Sequence, residues 1–435
     1  METQVEISHK KPEKPRTGIL ATTVQGFKDE LENTYKIDIS KVSQACEILP
    51  QNYNFEIWKT LYRICLSKSK YEGEKKYKVA LQFPEGLLLY STLIADLITK
   101  YCASEEDDIE VLIMGDVTYG ACCIDDLGAR ALGADFMVHY AHSCLVPINE
   151  MAIKDILYVF VTIGINLEHF VNTIVHNLSD HKSSDIYLLG TIQFTNSLFM
   201  CKKKLLEEGF ESIIIPQTKP RSSGEVLGCT APIIPESESK EMIAIFLADG
   251  RFHIESTMIQ NDHIDHFYQY DPYSRNFTVE KYDTEKMHKI RYEEIERAKS
   301  AKTLGIILGT LGRQGNTGLL ENFRSICKEQ GIKSFILLLS EITPQKLAKF
   351  KSVDAWVQIS CPRLSVDWGL QYDKPLLNTY EGYVLLDQIK WQSTYPMDFY
   401  SDRAGEWGVY YKINKMREEK KAMRKKKKVK IGYEN

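Results

Sequence analysis

The amino-acid sequence predicts an α/β protein built from three homologous α/β units with mainly parallel sheets, with helices before them and a basic tail after them. Three observations carry that reading. Segments of β type alternate with segments of helix type, the pattern of parallel α/β units. One β–α–β pattern recurs along the chain. The 435 residues, at roughly 150 per domain, leave room for about three units.

Taken in order, residues 1 to about 20 are polar and rich in Lys and Pro (His9-Lys10-Lys11-Pro12-Glu13-Lys14-Pro15-Arg16) and read as a disordered arm. From Asn54 to Ser67, Ile57, Leu61 and Ile64 recur at i, i+4 and i+7, one apolar helix face. Val79 to Phe83 reads as a strand, and Pro84-Glu85-Gly86 turns the chain into a helix lined by Leu87, Tyr90, Ile94, Leu97 and Tyr101. Ile109 to Met114 is near-continuously apolar, as expected of a strand covered on both faces.

The repeat appears further on. Leu188-Leu189-Gly190-Thr191 and Ile307-Leu308-Gly309-Thr310 each end a strand, and each is followed by a helix closing in Glu207-Glu208-Gly209 or Glu329-Gln330-Gly331. Those helices feed the strands Ser212-Ile213-Ile214-Ile215 and Ser334-Phe335-Ile336-Leu337. The glycine after each helix suits a left-handed C-terminal cap. The expected division is an arm and N-terminal helices over 1–70, units over 71–183, 184–300 and 301–400, and a basic tail over 401–435.

Composition excludes several classes. Hydrophobic residues at 43% and charged ones at 26% fit a globular chain rather than a disordered one, a collagen or a coiled-coil rod. Lys plus Arg total 55 against 59 for Asp plus Glu, a net charge of −4, which gives no overall pull toward nucleic acid or an anionic membrane. No apolar run approaches the ~18 residues of a membrane span, and the first residues lack the apolar core of a secretory signal. The expectation is a cytoplasmic protein with reduced thiols, no membrane and no direct nucleic-acid partner. The run from Met416 to Lys430 is strongly basic and reads as a solvated tail, with approach to RNA-associated factors or a nuclear signal as alternatives.

Ten cysteines are scattered with no C-x-x-C pair, which argues against zinc ribbons, zinc fingers and thioredoxin motifs. Three of them, one per unit, sit in turn-like sequence: Cys122 after Gly120, Cys229 after Gly228, and Cys361 before Pro362. Ligands in open α/β sheets bind outside the carboxyl ends of strands, so three units facing one axis could bring these thiols together. Spacing alone leaves that option beside a simpler one, in which each is a small buried hydrophobe. Cys123 reads as core, Cys144 as core or a spare thiol, and Cys46, Cys65, Cys102, Cys201 and Cys327 as structural.

Arg313 and Gln314 lie in a glycine-rich loop after a strand, where backbone N–H groups could cradle a carboxylate. The glycines at 309, 312, 315 and 318 do not form G-x-G-x-x-G and no Walker lysine follows, so a dinucleotide or ATP site is a poor reading. His253, just past an apolar strand, is either a cofactor contact or a helix cap. Arg363 and Asp367 read as a structural pair.

Longer blocks carry more information. Leu81 to Leu87, Gly115 to Asp126 running on to His142-Ser143-Cys144-Leu145-Val146-Pro147, Asp249 to His253, Gly312 to Asn316 and Cys361 to Trp368 together resemble the first-step enzyme family of diphthamide synthesis. The resemblance runs from about Tyr53 to Tyr380 and implies a noncanonical radical enzyme, a 3-amino-3-carboxypropyl transferase. It implies a 4Fe-4S cluster at a central site, held by Cys122, Cys229 and Cys361, one cysteine from each unit. Paralogous second subunits typically lack the middle cysteine, so Cys229 places the resemblance with the first-subunit branch. The cosubstrate implied is S-adenosyl-L-methionine, for which Arg313, Gln314 and His253 are candidate contacts, and the target is a histidine of translation elongation factor 2. The implied partners are the paralogous subunit, as a heterodimer, and a small iron-binding electron donor. The competing readings are a non-catalytic scaffold of the same fold that binds the elongation factor, and a zinc- or nucleotide-binding α/β protein.

Overall fold

A computed structural model describes residues 22–73, 75–103, 108–116, 118–143, 145–413, 415–416 and 419. The arm over residues 1–20, Cys144 and nearly all of the run from Met416 to Lys430 lie outside the described residues.

Three helices lead the chain, Val24–Asn33, Ile39–Cys46 and Ile57–Lys68. The side chains of Thr23 and Asp38 accept the first free N–H groups of the first two helices. In the third, Ile57, Leu61 and Ile64 are all buried, the face read from their spacing. Between them β1 (Tyr53–Asn54) forms a short strand.

The first principal sheet holds β2 (Tyr77–Gln82), β3 (Ile109–Met114), β4 (Phe136–Tyr140) and β5 (Asp155–Val159), all parallel, in the order β3-β2-β4-β5. After it β6 (Thr162–Ile163) pairs antiparallel with β1, tying the N-terminal helices to the body. The second sheet holds β7 (Asp185–Gly190), β8 (Ser212–Ile214), β9 (Met242–Leu247), β10 (His266–Tyr270) and β11 (Phe277–Glu280), in the order β11-β10-β9-β7-β8 with only β11 antiparallel. The third holds β12 (Thr303–Gly309), β13 (Lys333–Leu339), β14 (Ala355–Ile359) and β15 (Leu376–Leu377), in the parallel order β13-β12-β14-β15.

All three sheets share one plan. The second strand pairs on one side of the first, and the third crosses to the other side. Where the strand order reverses, connections leave in opposite directions and a crevice opens at the carboxyl ends. The recurring helices are Thr195–Glu207 and Thr317–Glu329, and the glycines after them, Gly209 and Gly331, take φ of 88° and 70°. That is the left-handed cap their sequence predicts.

Three expectations need correction. Ile109–Met114 is not covered on both faces, since Ile113 is 39% exposed, and it lies at the edge of its sheet. The helix expected from Leu87 begins as a 3-10 turn over Glu85–Tyr90 and becomes α-helical only over Ser91–Cys102. The stretch 401–413, assigned to the tail, instead packs Trp407 and Tyr410 into the apolar core around the third sheet. Among the described residues no helix is long and apolar enough to cross a membrane.

A buried ion pair fastens the helix Thr284–Ala298 to the third sheet. Arg291 grips Glu381 through two hydrogen bonds of 2.6 and 2.7 Å and donates a third, of 2.8 Å, to the Leu376 carbonyl. Tyr395 donates to the same carboxylate at 2.8 Å. Removing one partner strands a buried charge, which costs about 3–5 kcal/mol, whereas replacing both by apolar groups is often tolerated. Glu381→Ala is therefore expected to lower the urea midpoint sharply, and the double change Arg291→Met with Glu381→Leu to recover most of that loss. Equal losses in the two proteins would show that the pair is not the fastening.

Candidate metal centre

Cys122 sits in a single 3-10 turn, Ala121–Cys123, between β3 and β4. Cys229 occupies a tight turn between β8 and β9, closed by reciprocal backbone hydrogen bonds of 3.0 and 3.2 Å between Leu227 and Thr230. Cys361 follows β14, at the start of the helix Arg363–Trp368, and its carbonyl accepts the Leu364 N–H at 3.1 Å. Two of the thiols thus lie in the connection from second to third strand and one lies after the third strand.

All three face one cavity of about 280 Å³. Leu145, Leu227, Phe252 and Tyr400 give it apolar walls, and Gln314 and His253 add polar groups. Among the described residues no three His, Cys, Asp or Glu side chains converge as a site for a single ion; the thiols surround a space instead.

The third sheet's loops hold the other two loops in place. Arg313, in the loop after β12, donates its backbone N–H to the Cys122 carbonyl at 2.8 Å. Its guanidinium forks onto the buried Asp126 carboxylate at 2.7 and 2.6 Å. Beside it Gly312 has φ of 54°, and an added Cβ would lie 2.5 Å from the Cys123 backbone, so only glycine permits this approach. Gln314 completes the seam, with Nε2 3.3 Å from Cys123 Sγ while Oε1 accepts from the Ser360 hydroxyl at 2.7 Å.

Arg363 does the same for the second loop. It donates to the carbonyls of Gly228 at 3.1 Å and Phe252 at 2.7 Å. It also binds the carboxylates of Glu255 at 2.6 Å and Asp367 at 2.9 Å. Its guanidinium lies 4.5 Å from the centre of the Phe252 ring. That ring in turn lies against Gly228, where any Cβ would collide at 2.0 Å.

The electrostatics of the thiols point one way. Burial raises Cys229 and pushes Cys361 up to about 12, the Cys229 thiol adding to the shift of Cys361. Cys122 is raised by its contact with the Cys123 thiol and then by burial, and the same contact lowers Cys123. Three thiols held protonated by burial, and in Cys122 first by its Cys123 contact, are suited to a cationic metal group that takes up the charge of three thiolates. Soft sulfur donors in a cavity with apolar walls match iron–sulfur or similar metals. The donor set fits a cluster larger than one ion.

Of the residues singled out from sequence, Cys122, Cys229, Cys361, Gln314 and His253 line this cavity together. Arg313 does not, because its guanidinium is taken by Asp126. His253 is the second residue of the helix Phe252–Gln260 and makes no side-chain cap. Burial lowers it to about 4, as it does His142, so both rings are neutral near pH 7. Arg363 pairs with Asp367 as read, but its reach to the Gly228 loop went unseen, since residues 135 positions apart leave no periodic signal. Asp126 and Glu225 were also missed as site residues. Their signal was an acidic group four residues from a turn cysteine.

Comparison with known proteins adds to the geometry. The family model described as "Putative diphthamide synthesis protein" matches residues 83–396. A Dictyostelium discoideum protein named 2-(3-amino-3-carboxypropyl)histidine synthase subunit 1 is 50% identical over 398 residues, covering 90% of this chain and 80% of that protein. A Bos taurus protein of the same name is 48% identical over 373 residues, covering 85% of this chain and 80% of that one. Among solved structures, Dph2 from Pyrococcus horikoshii, crystallised with a 4Fe-4S cluster, shares the fold with a TM-score of 0.62 at 23% identity, covering 79% of this chain and 93% of that one.

Arg363→Ala leaves Glu255 and Asp367 facing each other without their cation, a loss of about 3–5 kcal/mol for a buried pair. Hydrogen exchange is expected to accelerate at residues 227–231 and 252–256 and to stay unchanged at 126–131, which Arg313 holds. Arg363→Lys should restore little, because lysine cannot fork between two carbonyls and two carboxylates. Unaltered exchange at 227–231 would rule out the clamp.

Proposed function

The chain belongs to the diphthamide synthesis protein family, and from that premise we propose that it catalyses the first step of the pathway, moving the 3-amino-3-carboxypropyl group of S-adenosyl-L-methionine onto a histidine of translation elongation factor 2. Cys122, Cys229 and Cys361 hold a 4Fe-4S cluster in this reading. The observation that carries it is the single cavity faced by one turn-borne thiol from each of three sheets. Sulfur donors of this kind hold such clusters, and three of them leave one iron open to a substrate. When bound and reduced, the cluster supplies the electron that breaks a carbon–sulfur bond of the sulfonium.

The chain's own residues do the rest. The loop turns fix the three sulfurs, and the arginines of the third sheet fix the loops. Leu145, Leu227, Phe252 and Tyr400 keep water from a reactive fragment. Gln314 and His253 stand in the cavity wall where they can meet the substrate. Arg313 serves by position, holding the Cys122 loop rather than the substrate. The relatives' designation as subunit 1 supports a second subunit as partner; in this reading that subunit is a paralogue, a small iron-binding protein donates electrons, and the cytoplasm is the working compartment.

Cys122→Ala, Cys229→Ala and Cys361→Ala are each expected to stay folded and to lose the bound iron and its broad absorption near 400 nm. Cys327→Ala, in the helix Thr317–Glu329 and buried away from the cavity, should keep both. Iron per chain in anaerobically purified protein decides it, and full iron in Cys229→Ala would remove the three-sheet site.

The bond that breaks is a separate question. Common radical S-adenosylmethionine enzymes hold their cluster by C-x-x-x-C-x-x-C on one loop, a spacing absent here. Ligands from three sheets need not place the sulfonium as that loop does, and near-attack geometry selects the reacting bond. The reduced enzyme with its partner is expected to release 5′-methylthioadenosine and to add the fragment's mass to elongation factor 2. Chromatography of the nucleosides with mass spectrometry of the factor reads both. Release of 5′-deoxyadenosine with an unmodified factor would refute this mechanism.

A further inference from the structure

The turn that carries Cys229 belongs to a longer excursion between β8 and β9, and a further arginine is buried in it. Arg221 is 2% exposed. None of its three guanidinium nitrogens has a hydrogen-bond partner among the described residues. A guanidinium carries five N–H donors and a charge that no ordinary pH removes. Buried and unpaired, such a group is among the least favourable arrangements a fold can hold.

The backbone fixes it there. The Arg221 N–H donates to the Thr218 carbonyl at 3.0 Å, and Gln217 Nε2 donates to the Arg221 carbonyl at 2.9 Å. The segment around Tyr400 straps this turn to the Cys229 turn. Its Asp402 N–H donates to the Lys219 carbonyl at 3.0 Å, and its Tyr400 N–H donates to the Thr230 hydroxyl at 3.1 Å. Burial holds Arg221 below the usual arginine range, opposed by the charges of Glu225, Cys229, Asp398 and Asp402. Two of these carboxylates are engaged elsewhere. Glu225 Oε2 accepts the Ser222 N–H at 3.0 Å, and Asp398 Oδ1 accepts the Trp407 indole N–H at 2.7 Å. Arg363, whose charge also reaches Cys229, is taken by Glu255, Asp367 and two carbonyls. Arg221 is thus the uncommitted cation at the Cys229 turn.

We propose that Arg221 is the countercharge of the metal centre, meeting the negative charge that arrives when Cys229 binds metal as a thiolate and setting how readily the centre takes an electron. This rests on the cluster reading above. The reduction potential of an iron–sulfur centre follows its net charge, its hydrogen bonds and its exposure. A fixed cation nearby favours the reduced state, which carries one more negative charge, and does so most strongly where water is excluded. Groups outside the ligand set tune a metal in this way without touching it. Arg221 acts through Cys229, so it is a positioning residue and not a catalytic one. Its charge is matched when the site is filled, and the fold bears an unmatched charge otherwise.

The test compares the anaerobically purified full chain with Arg221→Met and Arg221→Lys. Iron per chain and the midpoint potential are measured on each, and the melting temperature is measured after chelation of the iron. Arg221→Met should lower the equilibrium constant for reduction by about 10-fold, which is about 59 mV for a one-electron couple. Arg221→Lys keeps the charge and should stay closer to the wild type. Without iron, Arg221→Met should melt no lower than the wild type, because it loses only an unpaired buried charge. An unchanged midpoint in Arg221→Met, or an equal fall in Arg221→Lys, would overturn the assignment. So would an iron-free Arg221→Met that melts well below the wild type, since Arg221 would then be structural. A wild type that binds no iron would remove the cluster reading and this inference with it, an outcome told apart by the missing absorption near 400 nm.

Discussion

Two arginines from the third sheet's loops hold the whole site in register. Arg313 joins the Cys122 turn through a backbone hydrogen bond and the fork onto Asp126, and Arg363 joins the Cys229 turn through the Gly228 carbonyl. Each lies within two residues of a residue of the cavity itself, Gln314 in one case and Cys361 in the other. Surface turns are otherwise the most mobile parts of a fold, and a metal centre tolerates displacements of only about half an ångström. Buried ion pairs add little net stability once desolvation is counted, so their use here is better read as fixing position.

That constraint explains why the cysteines can be so far apart in sequence. Metal sites held on one loop are ordered by local chain geometry. Here three sheets of the same strand order present their carboxyl ends to a shared centre, and the arginine clamps and the Gly312 and Gly228 contacts do what a short loop does elsewhere. The result is a chamber of sulfur and apolar side chains next to a more polar one.

The sheets also show where apolar patterning misleads. β3 reads as a strand covered on both faces, yet it is an edge strand and its Ile113 is 39% exposed. A run of apolar residues records that a segment avoids polar side chains; it does not say which neighbours cover it. Edge strands carry unpaired backbone groups along one side, and strand order is set by crossovers elsewhere in the chain.

The sequence by itself determined the α/β class, the repeat with its glycine caps after Glu208 and Gln330, and the turn character around Cys122, Cys229 and Cys361. These are local properties, carried by periodicity and by the few residues able to adopt a given backbone. It also indicated that Arg363 pairs with Asp367, because the two are one helical turn apart. Only the tertiary structure decided that Arg313 spends its charge on Asp126, that Gln314 links the Cys123 and Ser360 loops, and that Arg363 reaches the Gly228 carbonyl. Those facts depend on how separate sheets approach one another, and contacts between residues 46 to 191 positions apart leave no trace in any local pattern of the chain.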